Sequence, residues 1–554
     1  MLNINLMVIL MKKIILYLLS TLFALFTVIG NSFLVCDSLA FLYKNIFLII
    51  TNIFIFIGLI VLYKYLLERL FTYFDKNKDE DLKRNKFTIF FDNHPFITSF
   101  IIILLCWLPY FIAFYPCILS PDPTFQIKQF FGIPNKYSNY VVLLDQNQII
   151  TNHHPVIHTL LLGGCLKLGH TFNNDNLGLF IYVIIQSLVF ISTLAYVIKF
   201  LKDIKLSSKY RFISLLIFAL IPVFPMYTMT CVKDVFFGCY IIIFISYLYK
   251  MMIKKLSKFD LAFLLIIAVL ITISRNNGVY VIMLTLIPLL FFKYQSKLGV
   301  IVVLTSSIFI FYGYDKILLP AFRVTPTSVR EALSIPFQQT ARTIKYNEKI
   351  ITKEDYQIID QVLDYDTLSY RYNSGLSDPV KNGYNRYATK DDLKSYLIVW
   401  FKEFFKSPKT YFEATISNTY GYYYPLKTNW YVYYNENKKI NEDGFKYHFN
   451  KSVEKPRQVL TLFAQGFPYI PGIGLLVNIG INVWLLMIMI AYLITKKKFR
   501  EMVYLMPSLV LFLVCLASPA NCYFRYALPF VFALPLNYGI FKSINKCDKM
   551  KEVK

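Results

Sequence analysis

The sequence predicts an all-α polytopic membrane protein of about twelve transmembrane helices, carrying a small mixed or α-rich extracytoplasmic domain. Three observations predict it. Hydrophobic residues make up 56% and charged residues only 16% of the 554 positions, with a mean hydropathy of +0.49, which is more apolar side chain than soluble cores can hide. Apolar runs of about 18 to 25 residues recur along the chain, each long enough for a hydrocarbon layer roughly 30 Å thick. The basic residues fall mainly in short loops between those runs, the pattern that orients membrane helices.

The first run, 14–35, follows Lys12 and Lys13 and lacks a small-residue cleavage site, so it reads as a retained helix rather than a signal peptide. The second, 41–67, leads into 68–86, where KNKDEDLKRNK is the most charged short loop and belongs in the cytoplasm. The third, 95–119, emerges outside at SPDPTFQ. The basic loops 202–211, 250–258, 293–297 and 496–500 all face the cytoplasm only if 154–169 does not cross alone. A re-entrant helix there restores the parity; a true span with one mis-signed loop is the alternative. The remaining spans then run 177–200, 212–229, 235–253, 261–273, 279–292, 300–319, 470–494, 503–517 and 526–541. Twelve crossings put both termini in the cytoplasm and make this a multi-pass protein of the cell membrane.

Three parts follow: an N-terminal transmembrane module, 1–320, whose outer loop 120–155 carries a candidate base; an extracytoplasmic domain, 321–456; and a C-terminal transmembrane module, 457–554. The net charge of +25 does not mark a nucleic-acid binder, because 321–455 holds 20 Lys+Arg against 16 Asp+Glu, only +4 of that total. The nine cysteines include no CxxC pair and none within 321–455, so neither a disulfide framework nor a zinc knuckle is indicated. The Lys, Ile, Asn, Phe and Tyr bias suits an AT-rich bacterial genome. The outer domain is rich in Tyr, Asn, Lys and Asp and includes the aromatic run YGYYYP at 420–425; a domain of this size can bury a small core of its own, while its aromatic surfaces equally suit packing on the membrane rim or stacking against sugar rings.

Ionisable groups at the ends of apolar helices are costly unless they have a partner or a task. Asp122, between two prolines in LSPDPTFQ, suits a general base that takes a proton from an acceptor hydroxyl, and equally an acidic turn or helix cap followed by Thr124 and Gln126. In NHHPVIH, His154 and His158 share one face if helical; histidines there hydrogen-bond backbone or substrate, or ligate a metal. Lys233 and Asp234 in TCVKDVFFG read as a local ion pair, or as a phosphate contact beside a second acid that holds a substrate hydroxyl or a cation. SRNNG supplies Arg275 and Asn276 before a turn-permitting glycine. Arg525 in NCYFRYALP suits snorkelling or a lipid phosphate. The candidate set is thus Asp122 and Asp234 as catalytic acids, and Arg275, Lys233 and Arg525 for a phosphate. His153, His154, Asn276 and Gln126 are candidates for substrate, and Asp122, Asp234 and His154 are candidate ligands of a divalent cation, Mg or Mn.

The order SPDPTFQ, NHHP, VKD, RNNG and RYALP resembles multi-spanning GT-C-type glycosyltransferases. More closely it is similar to an uncharacterised bacterial integral-membrane branch whose outer domain carries IPFQQTAR and SDPVKNGYN, here 335–342 and 377–385. The resemblance covers about 95–425 and the last spans. It implies a GT-C-like fold and transfer of a sugar from a polyprenyl-phosphate carrier to an acceptor outside the cytoplasm, whether cell-envelope glycan, glycolipid or protein. It also implies the base role for Asp122 and a second acid at Asp234. The chain departs from the common pattern in having one Asp rather than an acidic pair in its first outer loop, and in placing its large outer domain between spans. Two other classes remain in view. One is a transporter or flippase of lipid-linked glycans, which more often shows two related halves that are not visible here; the other is a polysaccharide polymerase or ligase, which would not need Asp122.

Overall fold

Long apolar runs without water must satisfy their backbone internally, and helices are the local solution. The computed structural model describes residues 2–76, 79–427 and 431–552, and the side chains of 2–9 and 547–552 stand outside that description. The expected cytoplasmic loop 68–86 therefore includes two positions, 77 and 78, that lie outside the described residues. So do parts of both termini. Among the described residues the secondary structure is helical, with isolated bridges and no strand; the mixed alternative for 321–456 is thereby replaced by an α one.

The helices that matter below are α1 (Leu2–Cys36), α2 (Ile46–Lys76), α3 (Pro95–Ala113), α4 (Pro121–Phe130), α5 (Val156–Thr171), α6 (Asp175–Asp203), α7 (Ser208–Leu220), α8 (Val223–Met229), α9 (Lys233–Ile253), α10 (Lys258–Ser274), α11 (Gly278–Phe291) and α12 (Lys297–Gly313). They are followed by α13 (Ser334–Asn347), α14 (Asp378–Lys381), α15 (Lys390–Lys406), α16 (Pro408–Thr419), α17 (Glu454–Gly466), α18 (Ile479–Thr495), α19 (Met506–Leu516), α20 (Phe524–Phe532) and α21 (Leu534–Glu552).

Seven described helices are long and apolar enough to cross a membrane, or eight if α7 and α8, bent by 47° at Pro222, count as one span. That is fewer than the twelve expected from apolar runs, and the reason for the difference is local. Apolar run length counts residues, whereas several runs are broken before they become one helix. The run 470–494 begins as 3-10 turns and becomes helix only at Ile479. The run 503–517 yields an 11-residue α19 after a 3-10 stretch. α11 has 14 residues with Pro288 inside, about 21 Å at 1.5 Å per residue against a layer of roughly 30 Å. α2 shows the opposite case. Phe47 and Phe54 are 74% and 71% exposed, a surface that only hydrocarbon or another protein would cover.

The segment 154–169 forms most of α5, 16 residues long and about 24 Å by the same rise. Near its start His158 meets Gln126 of α4, and near its end His170 meets Phe131 and Phe445, so α5 runs alongside α4 and stays at one end of the molecule. Its crossing with α6 depends on two glycines: a Cβ at Gly169 would lie 2.3 Å from the Gly178 nitrogen.

Two ends are chemically distinct. α9 has 21 residues, so its termini lie about 30 Å apart. At its far end Arg500 donates to the Met252 carbonyl and Tyr294 donates to the Arg500 carbonyl. The loops and helix ends expected in the cytoplasm gather in paired contacts: Lys542 and Lys546 on Asp79, Ser208 on Asp81, Lys496 on Asp75. The other end carries Lys233 and, beside it, the segment 322–456. Within that segment Phe337, Ile359, Val362, Leu368, Val380 and Tyr396 form a small core of their own. Its later part behaves differently: Tyr422, Tyr431, Ile440 and Tyr447 pack into the main helical core. YGYYYP is not a sugar-stacking surface. Tyr420, Tyr422 and Tyr424 are buried, and the Tyr422 hydroxyl is tied to Ser518 and Ala520, because a buried phenol needs a partner.

Candidate functional site

The charged motifs meet because short extended segments lie side by side at one end of the helices. The backbone of 117–119 runs beside 229–231, with the Ile118 amide donating to the Met229 carbonyl at 2.8 Å and Cys231 donating to the Ile118 carbonyl at 3.2 Å. That pairing brings PDP next to VKD. Asp122 then occupies the first turn of α4, after the cap residue Ser120 and Pro121, where proline suits the first helical position and the helix dipole favours a carboxylate. Asp234 occupies the first turn of α9. Arg275 follows α10, and the turn closes when the Gly278 amide donates to the Arg275 carbonyl at 2.7 Å. A side chain on Gly278 would put its Cβ 2.0 Å from the Ile271 carbonyl oxygen. Arg525 is the second residue of α20.

Four of these side chains form one chain of ion pairs. Arg525 Nη2 lies 2.7 Å from Asp122 Oδ2, its Nε lies 3.3 Å from Asp234 Oδ2, and Arg275 Nη1 lies 3.3 Å from Asp234 Oδ1. Tyr526 stands under both guanidiniums, 4.9 Å from Arg275 and 5.7 Å from Arg525, with Tyr523 also under Arg525; ring faces stabilise such cations. Asp234, Arg275 and Arg525 are all buried. Lys233 donates to His154 Nδ1 at 3.0 Å. With the ammonium as donor, the ring proton sits on Nε2, a buried N–H without a partner. Arg275 Nη1 and Arg525 Nε also lack hydrogen-bond partners despite their nearby carboxylates.

Three cations therefore face two carboxylates, a surplus of one positive charge, with His154 Nε2 unpartnered and Arg275 Nη1 and Arg525 Nε held only by 3.3 Å ion pairs to Asp234. Burial alone would raise the Asp122 carboxyl, but Arg525, His154 and Lys233 outweigh it and hold it well below the usual carboxylate range. The site has the composition of an anion receptor with a carboxylate on its open side, for the Asp122 side chain is 21% exposed and that of Asp234 only 1%.

The metal expectation does not fit these residues. The Arg525 guanidinium lies between Asp122 and Asp234, where a bridging cation would sit, and Lys233 takes the Nδ1 of His154. Among the described residues no group of three or more His, Cys, Asp or Glu could hold a metal ion. His158 is equally engaged, with Nδ1 3.1 Å from Gln126 Oε1 and Nε2 2.6 Å from the Tyr182 hydroxyl. Gln126 is buried and also donates to Thr159, so its amide is used inside the α4–α5 contact. Asn276 donates to the Asn152 carbonyl at 3.2 Å, and Asn152 in turn donates to Asp315. His153 faces away from the ion pairs toward 322–456, stacked on Tyr137 at 3.9 Å with Nδ1 3.8 Å from Glu331.

The structure adds partners that the sequence did not single out. Tyr137 packs against both histidines, 3.9 Å from the His153 and 4.9 Å from the His154 ring centroid, while the two imidazoles touch each other at 4.7 Å. Glu331 is held by Arg330 at 3.0 Å and Lys381 at 2.6 Å. Burial would raise the Glu331 carboxyl, but Lys381, His153 and Arg330 bring it down to about 2. Burial pushes the His153 imidazole down to about 4, leaving it neutral at neutral pH. Tyr433 and Tyr523 share a hydroxyl contact beside Arg525. Lys381 belongs to the SDPVKNGYN motif, the one available signal for this layer; Tyr137 and Glu331 stand in ordinary polar sequence.

No curated protein and no solved structure matches the chain. Over residues 3–541 it matches the profile of a family of unknown function, DUF6020, and it belongs to that family.

Proposed function

We propose that the chain is a membrane glycosyltransferase that moves a sugar from a polyprenyl-phosphate-linked donor to an acceptor outside the cytoplasm. The observation that carries this reading is the buried surplus of one positive charge beside a partly exposed carboxylate. A phosphodiester has one negative charge and acceptor oxygens for His154 Nε2 and for the two guanidiniums, whose Nη1 and Nε approach Asp234 only at 3.3 Å without a hydrogen bond, with Lys233 adjacent. In the reaction Asp122 takes the proton of the acceptor hydroxyl, the freed oxygen forms a bond to the anomeric carbon, and the bond from that carbon to the phosphate oxygen breaks. The electron pair leaves with the phosphate, whose added negative charge meets the arginines and Lys233. Asp234 positions the two arginines from its buried place between them.

An apolar cavity of about 330 Å³ supports a lipid-linked donor. Val531, Phe224 and Leu476 line it, and Val531 stands six residues along α20 from Arg525, about 9 Å down the helix. For topology we place the basic end in the cytoplasm of a cell membrane, with both termini there and the site outside. Counting α10, α11, α18 and α19 as short crossings, with the bent pair as one, returns twelve in a GT-C-like arrangement. The test uses the full chain in liposomes with a synthetic polyprenyl-phosphate sugar. Release of polyprenyl phosphate with the sugar passed to an acceptor is expected; donor that crosses the bilayer with its sugar–phosphate bond intact would replace this reading with that of a transporter.

A further inference from the structure

We infer that Asp122 keeps the donor's place on Arg525, and that an arriving phosphate exchanges this ion pair and so releases Asp122 as a base only when donor is bound. The inference rests on the proposed donor. Its own support is the unequal sharing of Arg525. The guanidinium makes its close contact, 2.7 Å, with the partly exposed Asp122, and only a 3.3 Å approach to the enclosed Asp234. Asp234 is left with both oxygens lacking hydrogen-bond partners, as are Arg275 Nη1, Arg525 Nε and His154 Nε2. Buried groups left this way are costly and call for another partner.

A phosphate entering from the Asp122 side reaches Arg525 first. Its oxygens can take the Arg525 fork and the Lys233 ammonium together, which a single Asp122 carboxylate does not do. Of the two acids Asp122 is the one with a partly exposed side chain, 21% against 1% for Asp234, which is held on α9 between Arg275 and Arg525. While it is paired, Asp122 is a weak base, because the guanidinium stabilises its charged form; once displaced, it regains proton affinity next to the bound donor. No bond is made or broken in the exchange, which moves only an ion pair.

The inference yields an inverted expectation. Removing the internal anion should strengthen anion binding while transfer is lost. The probe is the monoanionic methyl diester of geranylgeranyl phosphate, titrated against the full chain in detergent. Asp122→Asn should bind it about tenfold more tightly than the native protein, and Asp122→Ser, which guards against a fault specific to the amide, should do the same. Equal or weaker binding by variants that keep the native thermal midpoint would overturn the exchange while leaving the donor reading intact. If neither the native chain nor either variant binds the probe, the donor reading and the exchange fall together. If one variant does not fold, the other decides the question.

Discussion

Two buried arginines of this protein each stand between two carboxylates, and the charges around them differ. Arg342, on α13, meets Asp37 at 3.3 Å and Glu413 at 3.0 Å, donates to the Asp37 carbonyl and to the Tyr372 hydroxyl, and has Lys409 in the same polar cleft. Two cations there face two anions. The cluster ties the loop after α1 to α13 and α16; Arg342 Nε lacks a hydrogen-bond partner, as Arg525 Nε does, so the two sites differ in their balance of charge and not in having an unused donor. Arg525 also has two acids, but Arg275 and Lys233 bring the cations to three. The difference is one of charge: the Arg342 cluster balances its two acids, whereas the Arg525 cluster carries one cation more than it has carboxylates, which is what the proposed phosphate site uses.

Substitutions can break that contrast in graded steps. Asp122→Asn should lower sugar transfer by about a hundredfold or more, the usual loss for a missing general base; a radiolabelled-donor assay reads it, and retention of most activity would reduce Asp122 to a cap of α4. Arg342→Met should instead cost about 2 kcal/mol of stability, because it strands Glu413 in a buried site. It should leave transfer per folded molecule within about twofold. Thermal unfolding in detergent beside the same assay checks both halves, and a large loss of transfer without a loss of stability would erase the distinction between the two arginines.

Arg275→Lys keeps the charge but removes the planar fork, so donor affinity should fall about tenfold, measured by titration with the prenyl phosphodiester. The smallest effect concerns His153. Its folded value of about 4 lies below the ordinary 6.5, so below pH 6.5 the unfolded chain binds a proton that the folded chain does not. Stability should therefore fall as the pH drops from 6.5 toward 4, by about 1 kcal/mol between pH 7 and 5.5. His153→Phe keeps a ring against Tyr137 and should flatten that part of the profile; an unchanged slope would assign it to other groups.

The helical membrane class was legible because composition and apolar run length report it directly. The helix count was not, since Pro222 and the 3-10 turns over 473–477 and 503–505 break helices inside apolar runs that hydropathy reads as continuous. Asp122, Asp234, Arg275 and Arg525 stand out one by one, as charges at apolar helix ends. Their meeting is invisible in sequence, for it depends on the backbone pairing of 117–119 with 229–231 and on how α10 and α20 pack. YGYYYP misleads in the opposite direction: its rings look like a binding face, and only the contacts of Tyr422 with Ser518 and Ala520 show them as core. Tyr137 and Glu331 carried no signal, because nothing in PNKYSNY or SVREALS departs from an ordinary polar loop.

The central claim is that the surplus charge at Arg525, Arg275 and Lys233 receives one phosphodiester. The most direct test compares two ligands with the same geranylgeranyl tail, the monoanionic methyl phosphodiester and its neutral dimethyl triester, by equilibrium binding to the full chain in detergent. The account predicts that the monoanion binds about a hundredfold or more tightly than the triester, as expected when several charge-assisted hydrogen bonds in a buried site lose their partner's charge. Equal affinity for the two would show that the protein reads only the lipid tail, and would contradict the account.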